Sequence, residues 1–168
     1  VKYVSFDIFD TLVVRSLWNA TDVFEFMQPE FSRMVPAHAK TKFCEWRQTA
    51  EESCRNKFGN RMGVEDITLT QIYGELKELL NLSSEVTTTL LDLEVRTELH
   101  FLSRRETGGK LVDFALACGK KVIYTSDMYL ETPHIRAILE QCGYPELPLY
   151  LSSSLGICLL YTSPSPRD

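Results

Sequence analysis

Three short apolar segments constrain the fold of this chain more than any other feature. They are VKYVSFDIF at 1–9, KKVIYTS at 120–126 and LPLYLSS at 147–153. Near-continuous apolar runs of this length are typical of strands buried on both faces of a parallel sheet. A segment with a helical period precedes the second strand and another precedes the third, and they stop at Gly119 and Gly143, the usual residue type after a helix. This alternation predicts a parallel α/β core.

The residues between the first and second strands have helical periods. One amphipathic helix is predicted at 40–58, Thr70 is the expected N-cap of QIYGELKELL, and Ser84 is the expected N-cap of the helix that follows. A further helix, KLVDFALAC, is expected to begin after the pair Gly108 and Gly109. The first strand is therefore followed by a long helical insertion before the α/β alternation resumes.

These patterns predict a discontinuous domain organisation. Residues 1–15 and 106–157 are expected to form a Rossmann-like α/β core with a parallel sheet, and this core is incomplete. Residues 16–105 are expected to form an all-helical unit inserted after the first strand. The sequence contains no internal repeat that would favour a solenoid or a propeller instead.

The composition excludes several classes of partner. The 18 lysines and arginines are scattered among 23 acidic residues, for a net charge of −5, so no basic stripe is available for a nucleic-acid backbone. No apolar run approaches the roughly 18 residues of a membrane span. The five cysteines form no Cys-x-x-Cys pair, which favours reduced, mostly buried thiols. We expect a cytoplasmic protein that binds neither nucleic acid nor membranes.

The last eleven residues, CLLYTSPSPRD at 158–168, differ from everything before them because they combine prolines and serines with no apolar period. All eleven match the reading-frame translation of a common transposase sequencing adapter, so they are excluded from the predicted fold. On this interpretation the gene continues beyond Gly156, and the chain is a fragment of its parent protein.

Polar residues follow the first two predicted strands. Asp7, Asp10 and Thr11 come at the end of the first strand, and Ser126 and Asp127 come at the end of the second. Ligands of open parallel sheets bind beyond the carboxyl ends of the strands. A carboxylate there can attack an electrophile and form a covalent intermediate, with the Ser126 hydroxyl stabilising the developing charge. For Asp7 alone, a solvated or helix-capping carboxylate is an equally good interpretation.

The strings SFDIFDTLVVR at 5–15 and VIYTSDMYL at 122–130 resemble two motifs of the haloacid dehalogenase superfamily. More specifically, they look like those of a group of predicted hydrolases often linked to bacterial glycosyltransferases. The resemblance covers about residues 1–156. It therefore extends over nearly the whole chain apart from the tail.

This resemblance implies a role for each motif residue. Asp7 matches the nucleophile, Thr11 matches the threonine that fastens the loop after it, and Ser126 matches the residue that hydrogen-bonds the transferring phosphoryl oxygen. Residues 16–105 would be the helical cap that closes over the site and excludes water.

The resemblance also implies a ligand and a metal. Arg15 ends the first motif near the expected cleft, where its planar guanidinium suits a small phosphorylated or other anionic substrate. Asp127 is a second candidate for substrate binding, although it is equally suited to cap the turn after the strand. Mg²⁺ would take a carboxylate oxygen of Asp7 and the main-chain carbonyl of Phe9.

Phe9 departs from the pattern of the superfamily's phosphatases. Their second aspartate, two residues after the nucleophile, is the general acid and base, and here that position is Phe9. Asp10 lies one residue further on and matches a turn position. The departure removes a proton donor commonly worth about 10²-fold to 10⁴-fold in rate.

Three functions for the parent protein remain open. The first is hydrolysis of a phosphate monoester, the second is a non-catalytic binding or regulatory domain associated with a glycosyltransferase, and the third is a metal-independent, dehalogenase-like hydrolase. The resemblance places a lysine and metal-binding acids after Gly156, so the 168-residue chain itself is expected to be inactive. It also implies that the first strand is left as an exposed apolar edge.

Several charged residues at helical spacings are candidates for pairing within the inserted unit. We interpret them as ordinary solvated or salt-bridged helix faces. They are Arg47, Glu51, Arg55, Glu94 and Glu98.

Overall fold

A computed structural model describes residues 2–59 and 67–152. Its central feature is a parallel sheet of three strands: β1 (Tyr3–Asp7), β4 (Lys121–Ser126) and β5 (Leu149–Leu151), in the order β1-β4-β5. β1 pairs with β4 so that Asp7 lies opposite Thr125, which brings the carboxyl ends of the strands together. The predicted parallel α/β core is confirmed.

Two short strands join the inserted helices to this core. β2 (Val13–Arg15) pairs in antiparallel fashion with β3 (Leu102–Arg104), with Arg15 opposite Leu102. The chain therefore leaves the core and returns to it at one place. Neither strand was predicted, because three residues are too few to display a period of two.

In the part of the chain that the structure describes, four α-helices lie between β2 and β3. They are α1 (Asp22–Met34), α2 (Phe43–Cys54), α3 (Leu69–Leu80) and α4 (Ser84–Phe101). The helix predicted at 40–58 is thus shorter than expected, and a π-helical turn (Arg55–Gly59) follows it. The calls on residues 60–66 and on the tail at 153–168 lie outside the described residues.

Two predicted helix caps are wrong by one or two residues. Thr68, not Thr70, caps α3: its hydroxyl accepts a hydrogen bond from Gln71 N at 3.2 Å, and the Gln71 side chain accepts one from Thr68 N at 2.8 Å. Ser83, not Ser84, caps α4, where it accepts from Val86 N at 3.2 Å. In each case the residue with the extended backbone of an N-cap lies upstream of the predicted one.

Two helices flank the later strands, α5 (Glu106–Ala117) before β4 and α6 (Thr132–Gln141) before β5. Gly119 and Gly143 follow them with φ of 68° and 70°, as predicted. Gly108 lies inside α5 rather than before it. A side chain at this position would overlap the Thr11 carbonyl oxygen, which explains why the residue is glycine. The close approach presses α5 against the turn that follows β1.

The first strand is less buried than its apolar pattern predicted. β1 ends at Asp7, two residues before the predicted end, and Ile8 and Phe9 are buried in the turn beyond it. Tyr3 is 51% exposed, so the prediction of burial on both faces is wrong for this strand in the described residues. β1 is an edge of the described sheet, and only its alternate residues pack inward.

The hydrophobic core runs through both the sheet and the inserted helices. Buried side chains such as Leu12, Phe31, Phe43 and Tyr124 belong to one contiguous cluster. The four described cysteines are all free thiols. Within the described segments, none of the helices has the length and apolar character needed to cross a membrane.

Candidate active site

Asp7 lies at the carboxyl end of β1, where a tight turn holds its side chain. Thr11 Oγ1 donates a hydrogen bond to Asp7 Oδ2 at 3.0 Å. The turn is closed by backbone hydrogen bonds from Leu12 N to Ile8 O at 2.8 Å and from Asp10 N to Val13 O at 2.8 Å. Asp10 adopts φ of 57°, which confirms that it is a turn residue. The structure therefore brings Asp7 and Thr11 together.

The charge state of Asp7 reflects burial and nearby acids. Partial burial raises the pKa of Asp7, while hydrogen bonds from Thr11 and from the backbone N–H of Ile8 lower it. The negative charges of Asp127 and Asp10 raise the pKa further. Asp7 nevertheless remains exposed to solvent, so its side chain is accessible to a ligand.

Ser126 ends β4 and is 2% exposed. Its position is one residue beyond Thr125, the partner of Asp7 in the sheet. Ser126 Oγ accepts a hydrogen bond from Met128 N at 3.2 Å, which leaves the hydroxyl hydrogen able to donate. Among the described contacts Ser126 makes no hydrogen bond to Asp7, although both residues lie at the same edge of the sheet.

Arg15 is not free to meet a ligand in this conformation. Its Nε donates to Glu98 Oε2 at 3.0 Å, and its Nη2 lies 3.5 Å from Glu98 Oε1. Its guanidinium carbon also lies 5.0 Å from the centre of the Phe9 ring. The Arg15 side chain is 12% exposed and the Glu98 side chain is 2% exposed. Burial raises the pKa of Glu98, and the positive charge of Arg15 opposes that rise.

A second buried ion pair lies deeper in the inserted helices. Arg47 donates to Glu94 through Nε at 2.9 Å and Nη2 at 3.0 Å, and both side chains are fully buried. Arg47 Nη1 also donates to Glu51 at 3.0 Å, and the Tyr73 hydroxyl donates to Glu94 at 2.7 Å. Of these residues only Glu51 is appreciably exposed.

The burial of three charged residues was therefore not predicted from the sequence. The interpretation as solvated faces is wrong for Arg47, Glu94 and Glu98, although the salt bridges themselves are present. The only available signal was the spacing of four residues between Arg47 and Glu51 and between Glu94 and Glu98. That spacing is the same for an exposed pair, so it does not reveal burial.

The described residues provide few ligands for a metal. The turn after β1 offers the exposed carboxylates of Asp7 and Asp10 and the main-chain carbonyl of Phe9. In residues 2–59 and 67–152, no group of three or more His, Cys, Asp or Glu side chains is arranged to hold a metal ion. This set fits Mg²⁺ if water and a phosphate oxygen complete the coordination, which is common for that ion.

The chain is an α/β protein whose parallel sheet has a carboxylate at the end of its first strand, with inserted helices following at once. In proteins of this class, ligands bind beyond the carboxyl ends of the strands. No known family model matches the chain, and no curated protein is detectably similar to it. Solved structures do match.

A 2-haloacid dehalogenase from Pseudomonas syringae pv. Tomato DC3000 superposes with a TM-score of 0.58 at 15% identity, covering 94% of this chain and 66% of that one. A dehalogenase structure described as an intermediate complex superposes with a TM-score of 0.51 at 16% identity, covering 99% of this chain and 67% of that one. A haloacid dehalogenase-like hydrolase from Xanthomonas campestris superposes with a TM-score of 0.47 at 16% identity, covering 89% of this chain and 61% of that one.

The chain thus has the fold of the haloacid dehalogenase-like hydrolases. It spans between 58% and 67% of the lengths of the solved chains it matches. At these identities the likeness concerns the fold, and function has to be argued from the site.

Proposed function

We propose that the protein is a hydrolase in which Asp7 is the nucleophile and a phosphate monoester is the substrate. The observation that carries the proposal is the Asp7 carboxylate, which is exposed at the end of β1 and held by Thr11 at 3.0 Å. Hydrogen bonds from Thr11 and from the backbone N–H of Ile8 hold the carboxylate in place, while the side chain stays exposed to a substrate. A fixed carboxylate at the ligand-binding edge of the sheet suits covalent catalysis.

In the proposed reaction, a carboxylate oxygen of Asp7 attacks phosphorus and the bond to the substrate alcohol breaks. Ser126 donates its hydroxyl hydrogen to a phosphoryl oxygen, which stabilises the charge of the transition state. Water then attacks the aspartyl phosphate, releasing phosphate and regenerating Asp7. The leaving alkoxide takes its proton from water, since the Phe9 side chain has none to give.

This last step predicts which phosphate esters react. Without a general acid, the rate depends strongly on how well the leaving group carries negative charge, because no enzyme proton arrives in the transition state. Aryl phosphates are therefore expected to react much faster than alkyl phosphates. When Mg²⁺ is bound, it would neutralise charge on the phosphoryl group, held by Asp7 and the Phe9 carbonyl.

A second candidate is metal-independent removal of halide from a 2-haloacid. Two observations favour it: the aromatic Phe9 at the position of the acid, and the fold shared with 2-haloacid dehalogenases. In that reaction Asp7 displaces halide from carbon to form an ester, and water hydrolyses the ester. The departing halide needs no proton, so this reaction does not require a proton donor at the position of Phe9.

The test uses the full-length protein as wild type, Asp7→Asn and Asp10→Asn. Asp10→Asn is the matched control, because it removes a neighbouring charge from the same turn and asparagine tolerates φ of 57°. Each protein is assayed on aryl phosphates, alkyl phosphates and a 2-haloacid, with and without a chelator. We expect turnover of aryl phosphates that Asp7→Asn abolishes, that Asp10→Asn retains and that chelation removes.

Other outcomes separate the alternatives. Halide release that survives chelation and depends on Asp7 would replace the phosphatase proposal with the dehalogenase. Equal phosphatase activity in wild type and Asp7→Asn would refute the nucleophile. If neither substrate class turns over, a binding domain associated with a glycosyltransferase becomes the better interpretation.

A further inference from the structure

The turn that follows β4 is attached to the inserted helices through Tyr129. Tyr129 comes three residues after Ser126 and two after Asp127, so it moves with both. Its carbonyl oxygen accepts a hydrogen bond from Leu69 N at 2.8 Å, at the first residue of α3. Its ring lies 5.1 Å from the guanidinium carbon of Arg47 on α2. Two different helices of the insertion thus hold the turn that contains the second half of the candidate site.

The orientation of Arg47 is fixed from every side. Glu94 on α4 takes a two-pronged pair of hydrogen bonds, at 2.9 and 3.0 Å, and Glu51 takes a third at 3.0 Å. The guanidinium carbon also lies 5.1 Å from the Phe24 ring and 5.9 Å from the Tyr73 ring. A planar group with its donors engaged in this way presents a defined face to Tyr129.

The environment of Tyr129 agrees with this contact. Burial raises the pKa of its hydroxyl, the negative charge of Glu94 raises the pKa further, and the positive charge of Arg47 lowers it. The ring is therefore embedded in the field of the buried ion pair. In a site of low polarity, attraction between a cation and an aromatic ring is stronger than at a wet surface.

We propose that Arg47 is a positioning residue for the reaction, acting through Tyr129 to hold the Ser126–Asp127 turn against Asp7. The proposal rests on the proposed function, since the position of the turn affects a rate only if Ser126 contacts the reacting group. Stability alone does not require an ion pair here, because well-packed apolar residues of similar volume are often as stabilising. Apolar residues would not make the directional cation–ring contact that Arg47 makes with Tyr129.

The decisive variant is Arg47→Met combined with Glu94→Leu in the full-length protein. The double change avoids an unpaired buried charge, and the other partners keep a second contact. The Tyr73 hydroxyl retains the Leu90 carbonyl at 3.1 Å, and Glu51 retains Arg55 at 2.8 Å. Arg55→Met is the matched control, because it is the same change at a half-exposed arginine that does not touch Tyr129.

Two measurements are made on each protein. The first is the rate of hydrogen exchange at two backbone amides, which shows how firmly the turn is held. They are the Leu69 N–H, which donates to the Tyr129 carbonyl, and the Met128 N–H, which donates to the Ser126 hydroxyl. Steady-state kinetics on the substrate identified above reports kcat and KM separately. In the double variant we expect exchange at both amides to rise about tenfold or more, and kcat to fall by about tenfold to 100-fold with KM nearly unchanged. Arg55→Met should match wild type in both measurements.

Arg47→Lys extends the test if the double variant does not fold. Lysine keeps the charge next to Glu94 and loses the planar fork, so a folded Arg47→Lys protein should show the same faster exchange and lower kcat. Full kcat in either folded variant would overturn the proposal, as would unchanged exchange at Leu69 and Met128. If wild type has no turnover, the proposed function fails first, whereas the exchange data still decide whether Arg47 holds the turn.

Discussion

Replacing Arg15 with methionine tests the buried ion pair beside the candidate site. The change removes the 3.0 Å contact with Glu98 and the stack on the Phe9 ring, and it leaves the Glu98 carboxylate, 2% exposed, without its partner. Loss of one member of a buried pair commonly costs about 3–5 kcal/mol of unfolding free energy. Because Arg15 is 12% exposed, we expect the lower part of that range, about 3 kcal/mol near neutral pH.

The pH dependence gives this prediction its sign. Burial raises the folded-state pKa of Glu98 above the unfolded value of about 4.3, and Arg15 opposes that rise. A raised carboxyl pKa contributes stability that is fully present below the unfolded pKa and is lost as pH rises through the folded pKa. Without Arg15 the folded pKa rises further, so the loss becomes larger. The variant should therefore be close to wild type on the acid side of the unfolded pKa, with a destabilisation that grows toward neutral pH.

Urea unfolding at about pH 3.5, 5.5 and 7.5 measures this trend in wild type, Arg15→Met and the double variant Arg15→Met/Glu98→Leu. The double variant should recover most of the stability at neutral pH, since it removes the unpaired charge. Arg33→Met is the control: its partner Glu30 is exposed, so a change of less than about 1 kcal/mol is expected at every pH. A destabilisation by Arg15→Met that is the same at all three pH values would refute the reasoning, as would a double variant no more stable than the single one.

Two further predictions concern the backbone around the site and the start of α3. Gly108→Ala should lower the unfolding free energy by about 1–3 kcal/mol because the new methyl group meets the Thr11 backbone. Gly74→Ala has open space around it and should raise the unfolding free energy by about 0.5–1 kcal/mol. Thermal or urea melts measure both changes. Thr68→Ala should cost about 1 kcal/mol by breaking the capping box, while Thr70→Ala should be nearly neutral; the reverse order would restore Thr70 as the cap.

The sequence predicted those parts of the fold that local patterns determine. The strands at 121–126 and 149–151 and the glycines at 119 and 143 follow from apolar runs and from the left-handed conformation that glycine favours. The N-caps were less certain, because threonine and serine occur at two candidate positions each, and only the backbone conformation decides between them. The resemblance implied that Thr11 fastens the loop after Asp7, and the hydrogen bond that Thr11 donates to the Asp7 carboxylate itself, at 3.0 Å, was not predicted.

Long-range charge pairing was beyond prediction from sequence. Arg15 and Glu98 are separated by 83 residues, and Arg47 and Glu94 by 47. Each looks like a surface residue of an amphipathic helix or strand until the tertiary arrangement places a partner opposite it. Burial of such pairs depends on how α2, α4 and β2 meet, and a helical period contains no information about that.

The pair of Arg15 and Glu98 changes how Phe9 should be understood. In the sequence, Phe9 is the residue that occupies the position of a proton donor. In the structure the Phe9 ring also packs against the Arg15 guanidinium, and the Glu98 carboxylate neutralises the charge of Arg15. A neutralised cation attracts an anionic substrate weakly, because the charges of the pair nearly cancel beyond a few ångströms. Arg15 can therefore serve an anion only if it leaves Glu98 or if Glu98 takes up a proton. Burial makes that protonation easier by raising the pKa of Glu98, so we expect any binding of an anion at Arg15 to be accompanied by uptake of a proton by Glu98.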